Sequence, residues 1–220
     1  MIANDTILSI KGLSKSFPGV KALSNVGFSL KRGEIHALMG ENGAGKSTLI
    51  KALTGVYRRD AGEIIYNGAP LDCTSPLQAQ EAGISPVYQE VNLVPNLSVA
   101  ENVFLGRQPM RRGRIDWKTM NREAEKIIRR FDLEIDIEKN LGTYPVAIQQ
   151  MVAIARALDL NSKILILDEP TSSLNVQETE RLFSQMRRLK AEGQAIIFIT
   201  HFLDQVYEIA DTITVLRNGE

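Results

Sequence analysis

The 220-residue chain has one cysteine, one tryptophan and no net charge, with 26 basic residues balanced by 26 acidic ones. With Cys73 alone, an internal disulfide is excluded, and so is a zinc site built from several cysteines. Charge balance excludes the broad positive field that holds a nucleic-acid backbone, so no nucleic-acid partner is expected. The opening Met1-Ile2-Ala3-Asn4-Asp5 lacks the basic flank and apolar run of a secretory signal. No apolar run approaches the roughly 20 residues that span a bilayer. Any work at a membrane therefore needs a partner that does the spanning. What remains is the composition of an ordinary globular domain, 44% hydrophobic and 24% charged.

The order of predicted elements gives the fold class. Residues 7–10 and 26–30 read as short strands around a Phe17-Pro18-Gly19 turn, and residues 34–39 as a strand running into a glycine-rich loop. Residues 46–53 have helical spacing and stop at Gly55. A strand over 63–66 meets a tight Asn67-Gly68 turn. From about residue 90 to 160 no convincing strand is visible. Instead there is a capping box at Ser98 and Glu101, and amphipathic helices lie over 120–131 and 148–158. This stretch reads as an inserted helical subdomain of a single domain over residues 1–220. Strands return at 163–167, 195–200 and 212–216 with helices between them. The expectation is an α/β fold of the P-loop NTPase type, with a mostly parallel sheet and an antiparallel N-terminal β part. The end, Arg217-Asn218-Gly219-Glu220, resembles the start of a turn and suggests a piece of a longer chain.

The sharpest motif is Gly40-Glu41-Asn42-Gly43-Ala44-Gly45-Lys46-Ser47-Thr48, between a predicted strand and a predicted helix. Its glycines let successive N–H groups turn inward onto phosphate oxygens, and the start of the helix adds positive potential. Lys46 should reach the β- and γ-phosphates of ATP, and the Ser47 hydroxyl should ligate Mg²⁺. A second motif, Ile164-Leu165-Ile166-Leu167-Asp168-Glu169, is a buried strand delivering two carboxylates at its C-terminal edge. Asp168 is expected to hold Mg²⁺ through water, and Glu169 to activate or orient an attacking water. His201 follows another strand and is placed for a γ-phosphate contact. Gln89, also at a strand end, is positioned for metal or attacking water. Read alone, Gln89 also fits an ordinary surface residue, and His36 inside a strand reads as structural.

Together these residues resemble the ATPase domain of ABC transporters over nearly the whole chain. The order is Phe17 as the aromatic that stacks on adenine, the phosphate loop, Gln89, residues 149–158, Asp168-Glu169 and His201. Residues 17–23, 40–55, 87–93 and 200–207 are similar to bacterial monosaccharide importers, the galactofuranose type in particular. That resemblance implies the first of two ATPase domains in tandem. It also implies a separate membrane permease, a periplasmic sugar-binding protein met only indirectly, and a location on the cytoplasmic face of the inner membrane. Two positions depart from the family. Its Leu-Ser-Gly-Gly-Gln signature aligns with Tyr144-Pro145-Val146-Ala147-Ile148, with no match at any of the five positions. Asn175 stands where many relatives have Asp, though it still caps a helix with Glu178 three positions on. The apolar Val91, Leu93, Val94, Leu97 and Phe104 suggest either a surface for the permease or a segment covered by the helical subdomain.

Overall fold

The computed structural model describes residues 5–88, 93–159 and 162–220. Strands β1 (Thr6–Phe17), β2 (Val20–Lys31), β4 (Ala61–Tyr66) and β5 (Ala69–Pro70) form an antiparallel sheet in the order β2-β1-β4-β5. The second sheet joins β3 (Ile35–Met39), β6 (Ile84–Val87), β9 (Ile164–Asp168), β10 (Ala195–Ile199) and β11 (Thr212–Val215) in the order β11-β3-β10-β9-β6. Every neighbouring pair in it is parallel. All five residues of β3 and of β10 are buried, as expected for a sheet covered on both faces.

Strands β1 and β2 each run 12 residues, well beyond the short stretches expected. Their pairing carries four register irregularities, among them one between Ile10 and Leu13. Such bulges interrupt the two-residue alternation that marks a strand in sequence. At the Asn67-Gly68 turn both residues have positive φ, 50° and 79°, the backbone of a two-residue hairpin.

Helix α1 (Lys46–Leu53) follows β3 through the glycine-rich loop, and α2 (Pro76–Glu81) precedes β6. The middle of the chain contributes α3 (Val99–Val103), α4 (Trp117–Arg129) and α5 (Val146–Asp159). It also contains one small hairpin, β7 (Met110–Arg111) with β8 (Arg114–Ile115). The expectation of no strand there is corrected by these two-residue strands. They are too short to show alternation and are closed by Arg112 and Gly113, with φ of 51° and 76°. Helices α6 (Val176–Ala191) and α7 (Leu203–Ile209) complete the parallel layer.

Two large apolar clusters fill most of the interior, with a small third one of Ala37, Met39 and Val206. One joins α3, α4, α5 and α6 to one face of the parallel sheet, where Phe183 and Phe198 meet edge to face at 5.9 Å. The other fills the space between the two sheets and α1. The capping box expected at Ser98 forms in both directions, with Glu101 N–H donating to Ser98 Oγ and Glu101 Oε2 accepting from Ser98 N–H. The Asn175–Glu178 box forms likewise. His36 is structural, as expected. It is buried, its Nε2 lies 2.7 Å from Thr214 Oγ1, and burial pushes its pKa down against the opposing pull of Glu34.

Candidate functional site

The C-terminal ends of the parallel strands open onto a cavity of about 460 Å³. Asn42, Gly43, Ala44, Gly45, Lys46, Ser47 and Thr48 line one side, with Asp168 and Glu169 opposite. Gly40 and Gly45 fix the path of the loop. A Cβ on Gly40 would lie 2.4 Å from Leu216 O, and one on Gly45 would lie 2.8 Å from Ala22 O. Both also have positive φ, 146° and 107°, so a larger residue would be strained as well as crowded. Glu41 helps to close the loop, because its carbonyl accepts from Ala44 N–H at 3.1 Å.

The Lys46 side chain is buried and folds back across the loop, with Nζ donating to Gly40 O at 2.6 Å and Glu41 O at 3.1 Å. Ser47 follows it at the start of α1, where the helix dipole adds positive potential.

Asp168 ends β9. Burial raises its carboxyl pKa above the usual range, the neighbouring Glu169 adds to the rise, and Lys46 and Lys51 oppose it. Among the described residues no group of three His, Cys, Asp or Glu side chains forms a metal cage. The donors present are oxygens, the Ser47 hydroxyl and the Asp168 carboxylate. That set fits Mg²⁺, which takes one or two protein ligands and completes its shell with water and phosphate. A divalent cation would also relieve the crowding of negative charge at Asp168 and Glu169.

Glu169 sits in the left-handed region at φ 48°, a conformation that costs about 1–3 kcal/mol in a residue other than glycine. Its N–H donates to Ile199 O at 2.9 Å, which ties the turn to the end of β10. His201 Nδ1 lies 3.3 Å from Glu169 Oε1, and its ring stacks on Phe202 at 4.0 Å. Strand pairing of Asp168 with Ile199 is what brings these two motifs together from 32 residues apart. Gln205 braces the same junction, accepting from Thr171 Oγ1 at 2.7 Å. Nothing in the sequence pattern had marked it.

The other expected residues divide. Gln89 lies outside the described residues, as does Val91. Phe17 ends β1 and does not line the 460 Å³ cavity. It stands beside Val20, its strand partner, which does line it. The Phe17 ring meets Tyr57 edge to face at 5.1 Å. Asp60 anchors that strand end by accepting from Ser16 N–H at 2.6 Å and Lys15 Nζ at 2.8 Å. The cavity wall also includes Lys21, Ala22, Asn218 and Gly219, which carry no motif. They arrive there because Gly219 N–H donates to Ala44 O and Ser24 N–H to Gly219 O.

Tyr144, Pro145, Val146, Ala147 and Ile148 do not line the phosphate cavity. Pro145, Ala147 and Ile148 line a separate and larger cleft, about 1200 Å³, between α5 and α6. Of the apolar set after Gln89, Phe104 is buried and Leu93 packs on the helical core, while Val94 stays exposed. The helical region thus covers Phe104 and part of Leu93, while Val94 remains available to a partner.

A family model described as ABC transporter matches residues 23–172. The galactofuranose transporter ATP-binding protein YtfR of Escherichia coli K12 is 57% identical over 213 residues, covering 97% of this chain and 43% of that protein. The fructose import ATP-binding protein FruK of Bifidobacterium longum is 53% identical over 221 residues, 100% of this chain and 43% of that one. The chain thus spans less than half the length of these relatives. Among solved structures, the ADP conformation of MJ1267, an ATP-binding cassette of an ABC transporter, superposes with a TM-score of 0.85. It shares 27% identity, over 97% of this chain and 88% of that one. The dimeric bacterial ABC transporter cassette MJ0796 gives 0.81 at 27% identity, covering 97% and 95%. With the phosphate loop, the paired acids and His201 gathered at one sheet edge, and with these matches, the chain belongs to the ABC transporter family.

Proposed function

We propose that this chain binds Mg–ATP and hydrolyses it as a motor domain of a monosaccharide importer. The observation that carries the proposal is the single cavity shared by Lys46, Ser47, Asp168 and Glu169, with His201 against Glu169. Loop N–H groups and Lys46 bind the phosphates, and Ser47 and Asp168 hold the metal. Bound Mg²⁺ neutralises charge on the β- and γ-phosphates. Glu169 accepts a proton from water as the water oxygen bonds to the γ-phosphorus and the bond to the β-phosphate oxygen breaks. His201 orients Glu169 and donates toward the γ-phosphate. Phe17, braced by Tyr57 and Asp60, supplies a face for the adenine.

The sugar-import reading is supported by the galactofuranose and fructose relatives. Their greater length supports a second ATPase domain in the same protein, which would supply the signature half of this site. No helix among the described residues is long and apolar enough to cross a membrane. A permease therefore spans the bilayer in this proposal, with a periplasmic protein delivering the sugar and the motor on the cytoplasmic face of the inner membrane. The groove between α2, β6 and α5, about 330 Å³ and lined by Leu77, Tyr88, Leu93 and Arg156, suits a permease helix. Leu77 there is 63% exposed.

ATP binding and turnover, measured together over a wide range of protein concentration, test this reading. Tight Mg–ATP binding with almost no turnover at any concentration is expected of a sound phosphate half without a competent partner. Absence of Mg–ATP binding would overturn the proposal.

A further inference from the structure

The chain carries no net charge, yet its middle concentrates one sign on the short hairpin of β7 and β8. Arg111, Arg112 and Arg114 are all exposed, and among the described residues none of the three has an ion-pair partner. Arg111 lies directly across the ladder from Arg114, a pairing of like charges that weakens a hairpin. Arg112 occupies the turn in the left-handed region, which fixes its backbone at the tip. Asp116 accepts from Thr119 N–H at 3.1 Å and Thr119 Oγ1 at 3.0 Å, and these bonds, with a smaller pull from the charges of Arg111 and Arg122, hold its carboxyl pKa down, yet it forms no ion pair with the hairpin arginines. Three clustered like charges with only this one acid nearby, itself shared with Arg122, are further stabilised by an external anion.

Two large apolar side chains flank the arginines. Met110 is 62% exposed and Trp117 is 52% exposed. The hairpin is nonetheless fixed to the domain, because Ile115 packs on the helical core and Asp116 N–H donates to Pro109 O at 2.8 Å. Its root is Arg107, which pairs with Asp159 and donates to Val103 O at 2.9 Å. Asp159 lies one turn beyond Arg156, a residue of the groove assigned above to the permease. Through Arg107 and Asp159 the hairpin is thus tied to the end of α5, the helix that contributes Arg156 to that groove.

We propose that the Met110–Trp117 hairpin binds anionic phospholipid headgroups, with the arginines on the phosphates and Met110 and Trp117 in the interfacial layer. Tryptophan and arginine suit this boundary because each joins an apolar body to a polar end. Cytoplasmic leaflets attract basic segments by their negative surface potential. This contact would hold the motor against the membrane next to its permease. The inference rests on the membrane-importer reading for its biological sense, but its test does not.

Trp117 is the only tryptophan, so its emission reports on this site alone. The chain is titrated with vesicles of phosphatidylcholine, with and without phosphatidylglycerol, and with single-stranded RNA. Expected is a blue shift with the anionic vesicles only, reversed by raising salt from about 0.1 M to about 1 M. Co-sedimentation should show about a hundredfold weaker vesicle binding for the Arg111→Gln, Arg112→Gln, Arg114→Gln triple variant, roughly fivefold per arginine. Trp117→Ala should also weaken it. Mg–ATP affinity, measured on the same samples, should be unchanged and the thermal midpoint should not fall, which separates this surface from the nucleotide site. No emission shift with anionic vesicles, equal binding by the triple variant, or a shift with RNA but not lipid would each overturn the proposal. Loss of ATP binding with lipid binding intact would instead count against the motor reading.

Discussion

The phosphate half of the molecule and its signature half stand in opposite condition. Around the 460 Å³ cavity residues 42–48 of the phosphate loop meet Asp168 and Glu169, and the geometry is tightly set. Gly40 and Gly45 leave no space for a Cβ, Lys46 is pinned by two carbonyls, and Glu169 is held in a strained backbone. At residues 144–148 the family's hydroxyl and two glycines are replaced by Pro145, Val146 and Ala147. Pro145 has no N–H and no hydroxyl, so it removes two donors that a partner's γ-phosphate would meet. Helix α5 nevertheless forms over 14 residues, and Gln149 Nε2 donates to Tyr144 O at 2.9 Å. The fold therefore keeps the helix while residues 144–148 lack the hydroxyl and glycines of the family signature. Folding and catalysis place separate demands on the same segment, and here only the first is met. Under the proposed function this contrast predicts an asymmetric pair, in which this domain's loop and Glu169 would form the working site with a signature from a second domain.

The largest effect should come from Glu169→Gln in a protein carrying both ATPase domains. Turnover should fall about 10²–10⁴-fold while ATP still binds, as for loss of a general base. Unchanged turnover would end the idea that this half is the working one. Replacing residues 144–148 by Leu-Ser-Gly-Gly-Gln should give the isolated chain a turnover that rises with protein concentration, by about 10²-fold. If the unaltered chain already shows that rise, Pro145 does not impair the site. Lys46→Ala should weaken ATP binding by about 2–3 kcal/mol, read by calorimetry, because it removes a buried cation from the phosphates. Asn175→Ala should cost about 1 kcal/mol in chemical denaturation through loss of the helix cap, whereas Asn175→Asp should be nearly neutral.

The smallest effect concerns pH. Asp168 has a raised native pKa, so its contribution to stability is present when it is protonated and fades as pH rises through that value. Asp168→Asn should therefore raise the thermal midpoint of the metal-free protein at neutral pH. The gain should vanish below about pH 3.9, the unfolded pKa of Asp. A gain that persists at the lower pH would point to packing rather than charge.

Sequence alone determined the chemistry that depends on local order. The phosphate loop must be contiguous, since its N–H groups cradle one ligand, so residues 40–48 announce both site and fold. Helix α1 begins and ends at the residues its pattern marks, Lys46 and Leu53. Both capping boxes were legible for the same reason, being contacts three residues apart. Tertiary structure decided what depends on distant segments meeting. Tyr57 and Asp60 reach Phe17 only through the pairing of β1 with β4, Asn218 and Gly219 reach the loop only after β11 docks on β3, and Gln205 meets Thr171 only once β10 pairs with β9. The unpaired arginines facing each other on β7 and β8 likewise depend on a strand pairing too short to leave a pattern. Periodicity records which face of an element is buried, and carries no record of which other element will cover it.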